Sequence, residues 1–144
     1  MSNAKKYRTY GSELSAAAAW SAEYRIRSEK NEFGALIYSV PSDGGKKYYA
    51  GRTFAGMGKI GMIRPNVVIP FVFVYIVEAF IERIRRKSST EAFIHTHPKP
   101  DAGYTYRYHS KEDMFLLRLP GIKGVYVIPY ENDAINRQPD TDNV

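Results

Sequence analysis

The chain has 144 residues, a length that suits one domain with a buried core. A hydrophobic share of 44% and an aromatic share of 14% exclude a disordered chain. The absence of cysteine excludes disulfides and thiolate ligands, so any metal would have to be held by His, Asp or Glu. A net charge of +6 would suit an acidic partner, yet 15 acidic residues are interspersed among 21 basic ones and no long basic arm appears, which argues against nucleic acid as a partner.

Nothing at the start of the chain reads as a secretory signal: the first residues are polar and basic, and no apolar run follows them. Met1-Ser2-Asn3-Ala4 reads as an expression scar, so we expect an excised domain, cytoplasmic or delivered as an effector. Residues 1–11 are polar and are expected to be a loose lead-in. Ser12 then caps a helix expected from Glu13 to about Ser28, with Trp20 and Tyr24, four apart, on its packed side.

Ala35–Val40 reads as a strand. Pro41-Ser42-Asp43-Gly44-Gly45 supplies turn residues suited to positive φ, and Lys46–Thr53 returns as the second strand of a hairpin. Gly56, Gly58 and Gly61 match a phosphate-binding loop in glycine spacing only, with no strong helix pattern after them, and read as a plain loop. The longest apolar run, Val67 to Val77, is interrupted by Pro70 and falls far short of the ~20 residues that cross a bilayer, so it reads as core. A second helix is expected to begin at Pro70, with Phe73, Val77, Phe80, Ile81 and Ile84 on one face and Glu78, Glu82, Arg85 and Arg86 elsewhere.

Glu91–Thr96 reads as a strand. A loop with Tyr104, Tyr106 and Tyr108 in alternation follows, and these tyrosines either line a substrate groove or form one face of a short strand. A short helix is expected to about Leu119 with Ser110 as its cap, Gly124–Ile128 reads as the last strand, and the polar segment from Glu131 to Val144 reads as a frayed tail. The order predicts a single α/β domain, in two or three layers, built on a mixed sheet flanked by helices.

The chemistry concentrates in Ala92-Phe93-Ile94-His95-Thr96-His97-Pro98. Side chains alternate along a strand, so His95 and His97 share a face and Thr96 points away. Two imidazoles on a rigid element are two-thirds of a catalytic zinc site, which takes three protein ligands and keeps one position open. The third histidine of the chain, His109, lies only twelve positions past His97.

Glu32-Phe33-Gly34-Ala35-Leu36-Ile37, His95-Thr96-His97-Pro98 and Ser110-Lys111-Glu112-Asp113 together resemble the signature of the JAMM (JAB/MPN) metalloproteases. The likeness covers roughly Ser12 to Tyr130 and is greatest to the small JAB-like domains of bacterial polymorphic-toxin and Rhs-type proteins. It implies a JAB/MPN fold with cytidine-deaminase-like layering. It also implies a Zn2+ ion held by His95, His97 and Asp113, with Glu32 as general base and Ser110 as hydrogen-bond donor to the developing oxyanion. His109 is the alternative third ligand. Twelve residues separate His97 from Ser110 where the family usually has seven, an insertion whose closure entropy is small.

The activity so implied is zinc-dependent hydrolysis of a peptide or isopeptide bond in a protein or peptide substrate, in a bacterial toxin domain with a cognate immunity protein. Two other readings make different demands. A metal-free binding module on the same scaffold needs neither histidine, and a metal-dependent nuclease toxin needs salt-sensitive binding to nucleic acid.

Overall fold

The computed structural model describes residues 7–29, 32–55, 65–97, 121–131 and 133–138, with side chains of the second helix described from residue 73 onward. Helix α1 spans Glu13–Tyr24 and begins as its sequence suggests, with the Ser15 amide donating to the Ser12 hydroxyl at 3.0 Å. It stops four residues before the expected end, and a 3-10 turn, Ile26–Glu29, follows. Arg25 supplies the reason: its guanidinium donates to the carbonyls of Pro129 and Ala134 and pairs with Asp133, while its own carbonyl accepts from Ser28. Those distant partners bend the chain out of the helical path.

Six strands form one mixed sheet: β1 (Phe33–Ser42), β2 (Gly45–Ala50), β3 (Phe54–Ala55), β4 (Ser89–Thr96), β5 (Gly124–Ile128) and β6 (Asn136–Gln138). The spatial order is β2-β1-β4-β5-β6, with β3 pairing the start of β1 on the side where β2 pairs its end. All neighbours are antiparallel except β4 and β5. The expected hairpin is present, turning through Asp43 and Gly44; Gly44 (φ 85°) and Gly45 (φ 142°) take backbone angles that side chains disfavour. Strand β5 has the expected bounds. Strand β6 corrects the expectation of a frayed tail, because the buried Arg137 guanidinium pairs with Glu13 at 2.8 Å and anchors this polar segment to α1.

The two faces of the sheet carry separate cores. Ala35, Ile37, Ala92, Ile94, Tyr126 and Ile128 pack against Ala16, Ala17 and Trp20 of α1. On the other face Leu36, Tyr38, Tyr49, Phe93 and Val125 pack with Tyr75 of helix α2, which spans Pro65–Arg86. The result is an α/β domain with a mixed open sheet flanked by helices.

Helix α2 differs from expectation twice. It begins at Pro65, so a proline does occupy the first turn, but Pro70 is carried inside the helix, where its missing N–H removes one i→i−4 bond. More consequentially, the stripe expected to be core points outward: Phe73, Phe80 and Ile84 are 65–66% exposed. Polar partners decide the orientation. The Tyr38 hydroxyl donates to Glu78 at 2.8 Å, and the Tyr49 hydroxyl donates to Glu82 at 3.1 Å and contacts the Ser88 hydroxyl at 2.5 Å. Arg86 closes the group, pairing with Glu82 and lying over the rings of Tyr7 and Tyr49. A sheet face lined with tyrosine hydroxyls takes the acidic side of the helix.

Candidate metal centre

Strand β4 runs at the centre of the sheet, and alternation sends Phe93, His95 and His97 to the α2 side. His95 is 1% and His97 5% exposed. The His97 amide donates to the Ile128 carbonyl at 3.0 Å, which carries the β4–β5 ladder one residue past the strand end and holds the second histidine in register.

The antiparallel pairing of β1 with β4 sets Gly34 opposite His95, so continuing the register places Glu32 opposite His97 on the same face. Thr96, which points to the other side, secures this approach: its hydroxyl accepts from the Phe33 amide at 2.9 Å. Thus the residue between the histidines fixes the backbone beside Glu32. A glutamate, two histidines and a threonine clasp are brought together by two adjacent strand ends.

One ligand-type atom from each of Glu32, His95 and His97 lies within 4.8 Å of the others. The two Nε2 atoms are 3.2 Å apart. Two nitrogens each bound about 2.05 Å from one zinc ion at the tetrahedral angle would be separated by about 3.3 Å, so the imidazoles already stand at the spacing such an ion requires. Glu32 is half-buried, and its oxygen lies within the same radius. The donor set is therefore suited to a divalent cation of borderline softness.

Beneath the pair, aromatic rings stack in series. Phe93 lies parallel to His95 at 5.3 Å, and Tyr75 meets Phe93 edge-on at 5.1 Å. The Tyr75 hydroxyl, buried and without a hydrogen-bond partner among the described residues, comes up under Gly34. A Cβ at Gly34 would lie 2.7 Å from that oxygen and 3.0 Å from Phe93 Cζ, so only glycine lets Tyr75 reach the strand beside Glu32. Burial raises the Tyr75 phenol's pKa, and the negative charges of Glu78 and Glu32 add to the effect. Tyr75 thus stays neutral under the site.

Of the residues singled out in the sequence, Glu32, His95 and His97 come together. Ser110, Asp113, His109, Tyr104, Tyr106 and Tyr108 lie outside the described residues, as do Gly56, Gly58 and Gly61. Tyr75 and the clasp by Thr96 were missed. A signal for Thr96 existed, since a β-branched hydroxyl between two same-face histidines must point to the opposite side, where a neighbouring strand start can donate to it. Tyr75 had none, because its place depends on which side α2 turns to the sheet.

Compared with protein-family models, with curated proteins and with solved structures, the chain matches none.

Proposed function

We propose that the domain is a zinc-dependent hydrolase of peptide or isopeptide bonds, built on a JAB/MPN-like scaffold. The observation that carries this reading is the 3.2 Å spacing of the His95 and His97 Nε2 atoms with a Glu32 oxygen beside them. His95 and His97 hold the ion, and Asp113 completes the ligand set in the JAMM-like assignment. Zinc in such a site supplies a water acidified to near neutral pKa.

Glu32 acts as the general base and then as the acid that returns the proton to the leaving amine. Its placement suits that role: the Phe33–Thr96 bond fixes its backbone while the carboxylate stays half-buried beside the imidazoles. Ser110 is assigned to the oxyanion. The substrate is a protein or peptide, and a toxin domain of this kind would have a cognate immunity protein as its partner.

Glu32→Gln is the test, assayed on a peptide and isopeptide library together with metal content. The mutant should keep about one zinc per chain and lose hydrolysis by about 10²–10⁴-fold, the share usual for a general acid–base. Loss of the metal in Glu32→Gln, as in His97→Ala, would make Glu32 a ligand and remove the assigned base. Full activity with Gln at 32 would refute the mechanism outright.

A further inference from the structure

Helix α2 presents to solvent a face that water-soluble domains normally bury. Phe73, Ile76, Val77, Phe80, Ile81 and Ile84 are 40–66% exposed, while the side toward the sheet holds Tyr75, Glu78, Ala79 and Glu82. Together they offer roughly 600 Å² of apolar surface, the upper end of the largest patch on an ordinary monomer. The amino acids are also ordered. Phe73, Val77, Phe80 and Ile84 follow one another at intervals of four, three and four, the a/d spacing of a helix that seats against another helix.

Arg83 and Arg85, both exposed, flank this seam at its C-terminal end, and no acidic side chain of the described part of α2 lies on it. Two parallel copies would bring these cations together. Two antiparallel copies separate them to opposite ends and bury about 1,200 Å² in total, which reaches the size of a specific interface. A two-fold axis makes such a contact self-complementary and closed.

We infer that α2 is the dimerisation surface of this chain: two copies pack antiparallel through Phe73, Val77, Phe80 and Ile84, with Phe73 of each copy facing Ile84 of the other. The crossing angle is that of a left-handed helix pair, near +20°. The interface lies on the outer side of α2, away from the sheet face that carries His95 and His97, and needs no metal.

The test is sedimentation velocity of the full chain at about 100 µM, in a range where interfaces of this size associate. The wild type should sediment at 32.8 kDa, twice its 16.4 kDa chain mass, and Phe80→Asp at the single-chain mass with an unchanged circular dichroism spectrum. Because the chain lacks cysteine, register can be read directly. Phe73→Cys mixed with Ile84→Cys should form a disulfide-linked dimer on mild oxidation, and Ile84→Cys alone should not. A wild type at 16.4 kDa overturns the inference, and so does a dimer that survives Phe80→Asp. Flotation of a monomeric wild type with phosphatidylserine vesicles, abolished by Phe80→Asp, would give the face to a membrane surface instead.

Discussion

Gly34 is where the candidate centre is most sensitive to a single methyl group. Tyr75 and Phe93 both approach it, and neither ring can swing away, since each is buried among the others. Gly34→Ala forces these rings apart at a cost of about 1–3 kcal/mol, the range for overpacking a filled core. Because Phe93 stacks on His95, the displacement reaches the histidine pair. Thermal melting should show the loss of stability, and zinc titration of the mutant should show weaker binding than wild type.

Burial also gives Glu78 an unusual response to pH. Desolvation raises its pKa above the ordinary 4.5, and the Glu82 charge adds to that; the Tyr38 hydroxyl, the Arg52 amide and the Arg52 charge pull the other way. The folded protein therefore holds this proton more tightly than the unfolded chain. Ionised Glu78 costs stability above its folded pKa, and the cost fades as pH falls toward 4.5. Glu78→Gln keeps an acceptor for Tyr38 and removes the charge. It should melt higher than wild type at pH 7, with the gap closing by about pH 4; a gap that stays constant with pH would contradict this assignment.

At the scale of elements, β6 is held by chemistry and hardly at all by apolar burial. Arg137 and Glu13, with side chains 5% and 3% exposed, pair at 2.8 Å, and the Tyr126 hydroxyl donates to the same Glu13 oxygen at 2.7 Å. Removing one partner strands the other charge in the interior, so Arg137→Ala should cost about 3–5 kcal/mol in denaturant unfolding. Hydrogen exchange should quicken first at Val125–Val127, which pair with Asn136–Gln138.

The same elements show what could be read from the sequence and what could not. Alternation in β4 predicted the shared face of His95 and His97, and the β5 bounds followed from a clean apolar run between turn residues. A three-residue polar strand such as Asn136–Gln138 carries no period, and its anchor is a glutamate 124 positions away. For α2 the apolar stripe was visible, but its direction was not. The outcome depended on Tyr38, Tyr49 and Ser88 meeting Glu78 and Glu82, which are tertiary encounters that no helical period contains.

For the molecule as a whole, the sheet brings the ends of two interior strands together on its α2 side. The start of β1 delivers Glu32, the end of β4 delivers both histidines, and Thr96 clasps the two. With α1 packed on the opposite face and β5 bracing His97, the imidazoles stand 3.2 Å apart on paired strands. Such preorganisation would favour the proposed zinc ion, because little ordering would remain to be done on binding.

Whether His95 and His97 hold zinc is read by elemental analysis of protein purified without chelator, for wild type beside His97→Ala. The wild type should carry about one zinc per chain and the mutant none, with both still folded by circular dichroism. A wild type that stays free of zinc even after dialysis against excess metal would contradict it.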